Sequence, residues 1–376
     1  MKYDIVVGIP SYNEGKNIKF VAEQVDKGLC KYFKNHKAVI INCDGNSTDK
    51  TVDLFLSAKT KTDKLVLRKK GITGKGNVFK QLFNFIKKND AKYCIVVDAD
   101  LKSINPEWVN YMLTPIKKGY DYLTPFYSRH KYDGTITNNL CYPMVYALLG
   151  KDIRQPIGGD FAFSGKLAKY WLKQKWIRSI GFFGIDIFMT ISAVKGNFKI
   201  AQVNLGSKIH KPSAPNLSIM FLQVVDSLFF NLGKIKLKKQ VKIQKTKMFG
   251  LKKLKKPQSL TVNANKIKNT ALTEYTKNKN IIKNVLTKNN FESVQEHISK
   301  KEININSDLW SKIVYNCLAA YKNKRKDSIK ALQILYFART YSFIQHTKNM
   351  SQQKAEKEIL KQAGIFEKNR GYLLQK

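Results

Sequence analysis

Tyr93-Cys94-Ile95-Val96-Val97-Asp98-Ala99-Asp100 is an apolar run that ends on two carboxylates two residues apart. Four to five apolar residues rich in β-branched side chains read as a buried strand, which delivers Asp98 and Asp100 to its exposed end. Hard divalent cations such as Mg²⁺ and Mn²⁺ take oxygen ligands. They commonly use one or two carboxylates and fill the remaining positions with water and substrate phosphates. An Asp-x-Asp at a strand end therefore points to a bound diphosphate. In isolation the same pattern reads as readily as a solvated turn, so the neighbouring segments decide.

Upstream, Lys2 to Ile9 is a strand-like run ending at Pro10, followed by the polar loop Ser11-Tyr12-Asn13-Glu14-Gly15 and an amphipathic stretch from Asn17 to Leu29. Ala38 to Asn42 is the next strand. It opens into Cys43-Asp44-Gly45-Asn46-Ser47-Thr48-Asp49-Lys50-Thr51, where Ser47 or Thr48 is placed to cap a helix running to about Ser57. Leu65 to Arg68 makes a short third strand, and Gly71-Ile72-Thr73-Gly74-Lys75-Gly76-Asn77 precedes a helix from Val78 to Lys87. Glycines around a lysine at a helix entrance let backbone N–H groups and an ammonium approach an anion, although the full P-loop spacing is absent. Downstream of Asp100, Asn105 is a cap and Pro106 a first helical residue. The β-α-β-α alternation argues for a mostly parallel sheet covered by helices, with ligands at the carboxyl ends of the strands. Four successive strand ends carry polar or anion-binding residues.

With 376 residues, 43% of them hydrophobic, the chain folds as a globular protein of two or so domains. Cys30, Cys43, Cys94, Cys141 and Cys317 are odd in number and mostly inside apolar runs, which suits buried thiols in a reducing compartment. No basic-then-apolar leader opens the chain, because Asp4 interrupts the first run, so a cytoplasmic location is expected. The net charge of +41 comes mainly from lysine in the company of asparagine and isoleucine, a bias that composition alone can produce. There is no arginine-rich recognition helix, zinc finger or RNP box, and nucleic acid is not the expected partner.

Ile9-Pro10-Ser11-Tyr12-Asn13-Glu14, the Asp44–Thr51 loop, Gly74-Lys75-Gly76 and Asp98-Ala99-Asp100 together resemble a nucleotide-sugar glycosyltransferase of the GT-A fold. More narrowly, Gln155-Pro156-Ile157-Gly158-Gly159-Asp160-Phe161, Gly181-Phe182-Phe183-Gly184-Ile185-Asp186 and Ala201-Gln202-Val203-Asn204-Leu205-Gly206, leading to His210, are similar to glucosyl-3-phosphoglycerate synthase and mannosylglycerate synthase. The resemblance covers roughly residues 1–215. It implies a nucleotide pocket lined by Pro10, Tyr12, Glu14 and Asp44, with Lys75 reaching the donor and Asp98 near the ribose and metal. Asp100 and His210 would bind the metal, Mg²⁺ or Mn²⁺, directly. Asp186 is the remaining carboxylate of interest, as a base, as an orienter of the acceptor hydroxyl, or merely as a helix cap. Phe126 to Asn139 resembles the acceptor loop in outline, with Arg129 among its cations and Thr137 at the shared threonine. Where the phosphoglycerate enzymes carry an arginine for the acceptor phosphate, this chain has Thr135, which puts a phosphorylated acceptor in question.

Ile219 to Leu232 is apolar but interrupted by Gln223 and Asp226, hence a core helix rather than a membrane span. Lys234 to Lys256 is dense in lysine and interleaved with apolar residues. It reads as a solvated linker, or as a helix on an anionic membrane surface or a partner. Gln258 to Asn306 resists placement. Ser307 then caps one helix, Asp327 or Ser328 opens another, and a helical domain closes the chain.

The expected architecture is thus a GT-A α/β domain over 1–232, a basic connection over 233–257 and a helical domain over 258–376. The expected activity is metal-dependent, retaining transfer of a sugar from a nucleoside diphosphate to a small hydroxylated acceptor such as glycerate or phosphoglycerate. A membrane-associated transferase acting on a lipid phosphate or glycolipid, and a noncatalytic nucleotide-binding protein, are the alternatives. The sugar, the base and the oligomeric state, a homo-oligomer included, stay open.

Overall fold

A computed structural model describes residues 2–210, 217–235, 240–299 and 302–375. In chain order the elements are β1 (Ile5–Ser11), α1 (Ile18–Tyr32), β2 (Ala38–Asp44), α2 (Thr51–Leu56), β3 (Asp63–Arg68), α3 (Lys75–Asn89), β4 (Tyr93–Val96), α4 (Pro106–Lys117) and β5 (Tyr122–Ser128). A π-helical turn over Thr137–Cys141 leads into α5 (Tyr142–Leu149), followed by β6 (Lys151–Asp152), β7 (Phe161–Ser164), α6 (Gly165–Lys173), α7 (Ile185–Lys195) and β8 (Ile200–Ser207). Then come α8 (Leu217–Leu232), β9 (Gln244–Lys245), β10 (Lys247–Gly250), α9 (Ala264–Val285), α10 (Lys288–Ser299), α11 (Ser307–Ala320), α12 (Arg325–Thr347), α13 (Gln352–Lys368) and α14 (Arg370–Leu374).

These elements form two compact units that are interleaved along the chain rather than consecutive: residues 1–128, 153–216 and 246–258 in one, and 129–152, 217–245 and 259–376 in the other. The expected boundaries near 232 and 258 reflect where composition changes. Contacts divide the chain differently, because the segment 129–152 leaves the sheet to join the helices and 246–258 returns to the sheet.

The first unit is built on an eight-stranded sheet in the order β10-β8-β5-β7-β4-β1-β2-β3. All its pairings are parallel except those of β7, which runs antiparallel to β4 and β5. The strand order reverses between β1 and β4, the kind of switch point outside which open α/β sheets bind ligands. Strand residues alternate between two packed faces. Val7 and Ile9 of β1 share a core with Val21, Val25 and Leu29 of α1 and Trp108, Val109 and Met112 of α4. On the other face Gly8 admits α3, where a Cβ would lie 2.3 Å from a Leu82 methyl, and Phe83 of the same helix packs 5.1 Å from the Trp171 ring of α6. Asn105 caps α4 by accepting from Trp108 N, with Pro106 in the first turn, as its sequence predicts.

Two local expectations change. Neither Ser47 nor Thr48 caps α2. Ser47 Oγ instead accepts from Asn13 N at 3.0 Å, and Thr48 N donates to Asn13 Oδ1 at 2.8 Å, so both residues lace the end of β2 to the end of β1. The basic stretch 234–256 is neither a helix nor a free linker where it is described: residues 247–250 are an edge strand parallel to β8, and Phe249 packs 5.1 Å from the Tyr120 ring. Within this strand Lys247 and Met248 are exposed, while Phe249 and Gly250 are half-buried. Residues 236–239 of that stretch lie outside the described residues.

The second unit is helical, with β6 and β9 as a short parallel pair. Phe343, Ile359, Ala363 and Tyr142 form one of its cores, and Phe221 of α8 packs on Tyr336 of α12 at 4.4 Å. Asp226, the polar interruption in α8, accepts from Arg325 Nε and Nη2 at 2.7 Å each and from the Tyr321 hydroxyl at 2.7 Å, so its charge is neutralised within the unit. Asn306, not Ser307, caps α11 by accepting from Leu309 N at 2.9 Å, and α12 starts at Arg325, ahead of Asp327. Among the described residues no helix is long and apolar enough to cross a membrane.

Candidate active site

The carboxyl ends of β1, β2 and β4 are stitched together before any ligand is considered. Asp44 is fully buried at the end of β2: its Oδ2 accepts from Ser47 N at 3.0 Å and lies 3.3 Å from Arg68 Nε. Gly45 N donates to Ser11 O at 2.8 Å, which draws the β2 loop against β1. Asn13 and Asn46 carry positive φ values of 54° and 67°, conformations that asparagine adopts more readily than most residues. Pro10 is half-buried in β1, Glu14 N donates to Thr51 Oγ1 at 2.8 Å, and Tyr12 stands 59% exposed beside Gly45. An exposed aromatic face at a switch point can stack on a planar base.

At the end of β4 lies a buried charge cluster. Asp98 Oδ1 receives Lys75 Nζ at 3.0 Å, and Asp98 Oδ2 receives Lys208 Nζ at 2.8 Å. Lys208 also donates to Asp160 Oδ2 and to Gly158 O at 2.8 Å each, and its side chain is only 4% exposed. Asp160, fully buried, accepts from Asp98 N at 2.8 Å and from the Tyr127 hydroxyl. Asp186, in the first turn of α7, accepts from Gly159 N at 3.1 Å through Oδ2 and lies 3.4 Å from Lys75 Nζ through Oδ1. Three carboxylates thus share two ammonium groups, with Tyr127 and two backbone N–H groups completing the network.

The balance of charge sets the protonation states. Burial works against the charge on Asp98, yet Lys208 and Lys75 outweigh it and hold its pKa well below the usual carboxylate range. Burial also opposes the Lys75 charge, and Asp186 and Asp98 overcome that cost and raise its pKa. For Asp160 and Asp186 burial dominates and raises the pKa, helped in each case by the negative charge of Asp98. The cluster therefore contains one firmly ionised carboxylate and two whose proton affinity is enhanced.

Asp100 and His210, the residues expected to hold a metal, are both half-buried. Their segments are joined: Lys102 N donates to Ile209 O at 2.9 Å, and Ile209 N donates to Ser103 Oγ at 3.0 Å. Among the described residues no three His, Cys, Asp or Glu side chains converge on a metal position. One carboxylate and one imidazole on adjoining segments fit a cation that completes its shell with diphosphate oxygens and water, the habit of Mg²⁺ and Mn²⁺.

The expected acceptor residues belong to the helical unit. Arg129 Nη1 donates to Asp133 Oδ2 at 3.3 Å, and Thr137 is the buried first residue of the π-helical turn. Two site residues escape a reading of the sequence as functional groups: Lys208 and Asp160. Lys208 stands two residues before His210, and Asp160 follows the Gly158-Gly159 pair, but only the fold brings both to Asp98.

The chain shares its fold with solved structures. Two structures of glucosyl-3-phosphoglycerate synthase from Mycobacterium tuberculosis superpose with a TM-score of 0.50 at 23% identity. One is in complex with Mn²⁺, uridine-diphosphate and phosphoglyceric acid and covers 62% of this chain and 80% of that one; the other is in complex with Mn²⁺, uridine-diphosphate and glucosyl-3-phosphoglycerate and covers 62% and 81%. No curated protein matches the chain. The sequence model described as mannosylglycerate synthase, GT domain, matches residues 22–226, more than half of the chain, and on that match the protein belongs to this family of GT-A glycosyltransferases.

Proposed function

We propose that the protein transfers a hexose from a nucleoside diphosphate sugar to a small hydroxylated acid of the glycerate or phosphoglycerate class, with retention at the anomeric carbon and dependence on Mn²⁺ or Mg²⁺. The observation that carries this reading is the Lys75–Asp98–Lys208 arrangement at the strand-order switch point, where two ammonium groups are held within 3.0 Å of the half-buried Asp98 carboxylate. Such groups are preorganised: they need no reorganisation when negative charge grows on a leaving diphosphate. Lys75 opens α3, so its ammonium stands at a helix N-terminus, whose dipole favours an anion. Tyr12 supplies a face for the base, and Asp98, kept ionised, suits a ribose hydroxyl as an acceptor.

Asp100 and His210 would hold the metal, which when bound neutralises charge on the diphosphate. Asp186 is the candidate for handling the acceptor proton. Its carboxylate is oriented by Gly159 N and its raised pKa favours proton uptake over that of an ordinary aspartate. Arg129 and Thr137 would contact the acceptor, the guanidinium by charge and the threonine by hydrogen bonding.

A panel of nucleoside diphosphate sugars screened by thermal shift with Mn²⁺ tests the donor class, followed by turnover of the stabilising donor with D-glycerate and 3-phospho-D-glycerate. Stabilisation by none of them would overturn the proposal. An inverted anomeric configuration in the product, read by NMR coupling constants, would overturn retention alone.

A further inference from the structure

The segment that we read as the acceptor site is built into the helical unit through its backbone. Gln362 Nε2 of α13 donates to Asn138 O at 2.8 Å, and Trp310 Nε1 of α11 donates to Asn139 O at 2.6 Å. Lys131 Nζ caps the end of α12 by donating to Thr347 O and Met350 O at 2.7 Å each. Gln352, at the start of α13, accepts from Lys131 N at 3.1 Å and donates to Arg129 O. Thr135 Oγ1 hydrogen-bonds the buried Tyr336 hydroxyl. The segment ends in a π-helical turn, a local geometry that costs stability and persists where its surroundings impose it.

Behind Gln362 stands Arg339, 6% exposed. Its Nε and Nη2 donate to Gln362 Oε1 at 3.1 and 2.6 Å, while Nη1 donates to Ile305 O at 2.8 Å and Nη2 to Ser307 Oγ at 3.0 Å. Every hydrogen-bond acceptor of this buried guanidinium is neutral. A buried cation without a carboxylate in contact is a costly way to hold two helices together, and an apolar pair of the same volume would serve stability as well or better. What an apolar pair could not do is fix which way the Gln362 carboxamide points. With Arg339 occupying Oε1, Nε2–H is left facing Asn138 O.

We propose that Arg339 and Gln362 are positioning residues for the acceptor: Arg339 orients the Gln362 carboxamide, and Gln362 fixes the backbone at Asn138 and with it the register of the π-helical turn that carries Thr137. This rests on the reading above that the Arg129–Asn139 segment binds the acceptor. Helices α12 and α13, which lie beyond the residues matched by the family, thereby acquire a role in catalysis without touching substrate.

The Gln362→Glu variant separates positioning from support. The carboxylate keeps the volume and gives Arg339 a charged partner, so the thermal midpoint holds or rises, but an oxygen replaces the donor to Asn138 O and the turn is released. In the full-length protein, with the stabilising donor and Mn²⁺, we expect KM for D-glycerate or 3-phospho-D-glycerate to rise by roughly five- to tenfold, the worth of one hydrogen bond. Donor KM should stay within about twofold, and amide hydrogen exchange over 137–141 should accelerate. With an active wild type, unchanged acceptor KM and unchanged exchange would overturn the inference and leave the acceptor reading intact. If the wild type transfers to neither acid, the acceptor reading fails, and exchange decides: faster exchange over 137–141 supports the Arg339–Gln362 linkage, and unchanged exchange overturns it.

Discussion

Gly159 and Asp98 are packed so closely that a Cβ on residue 159 would lie 2.0 Å from Asp98 Oδ2, and Gly159 itself has a φ of +89°. The same residue donates its N–H to Asp186, so one glycine sets the spacing of two carboxylates in the cluster. Replacing it by alanine imposes about 1–2 kcal/mol of backbone strain and drives Asp98 away from Lys75 and Lys208. We expect Gly159→Ala to lower kcat/KM for the donor by about a hundredfold or more, the effect of ångström-scale misplacement at a reacting centre, while the circular dichroism spectrum stays native. Activity near that of the wild type would mean that Asp98 is not held where donor binding needs it.

Lys208 is the counter-charge for both Asp98 and Asp160, and removing it leaves Asp160 without an ammonium group beside Asp98, which keeps only Lys75. Lys208→Met should destabilise the fold by about 3–5 kcal/mol, the cost of breaking a buried pair by removing one partner. Adding Asp160→Asn should restore part of that loss, because the repulsion between Asp160 and Asp98 disappears. Thermal midpoints of the single and double variants check this. An additive double variant would show that Lys208 does not mediate between the two aspartates.

Strands β1 to β4 were legible because they are short apolar runs that end in polar loops, and the Asn105-Pro106 cap could be read letter by letter, whereas β5 and β7 were not read as strands. The strand at 247–250 was hidden by lysines, since the edge of a sheet tolerates charge on its open side and only Phe249 betrays the buried one. Within the site, Asp98 announced itself through Asp-x-Asp, whereas Lys208 and Asp160 did not. A buried lysine in a lysine-rich chain has no signature of its own, and its meaning comes from partners 110 and 48 residues away. The interleaving of the two units was equally invisible, since it depends on which core the segment 129–152 joins.

The metal assignment makes a direct demand on Asp100 and His210. If they hold the cation, Asp100→Ala and His210→Ala should each abolish the Mn²⁺-dependent part of donor binding measured by titration calorimetry, without altering the metal-independent part. Lys102 N to Ile209 O and Ile209 N to Ser103 Oγ join the two segments without using either side chain, and the circular dichroism spectra of both variants should stay native. Unchanged metal-dependent binding in either variant would remove that residue from the site.

We propose that position 135 decides between a free and a phosphorylated acceptor. The resemblance places a phosphate-binding arginine there in the phosphoglycerate enzymes, but in this chain the Thr135 hydroxyl is engaged by the buried Tyr336. A short side chain tied into α12 offers no bidentate fork to a phosphate. We therefore expect the wild type to prefer D-glycerate over 3-phospho-D-glycerate in direct competition. Tyr336→Phe removes the hydroxyl that holds Thr135, at a cost of about 1 kcal/mol for one hydrogen bond, and should leave this preference unchanged. Thr135→Arg in the Tyr336→Phe background frees the new side chain from α12. It should shift the preference toward the phosphorylated acid by about tenfold or more, since a hydrogen bond to a charged group contributes about 1.5–3 kcal/mol. A strong wild-type preference for 3-phospho-D-glycerate would show that another cation binds the phosphate, and Arg129 would be the first to test.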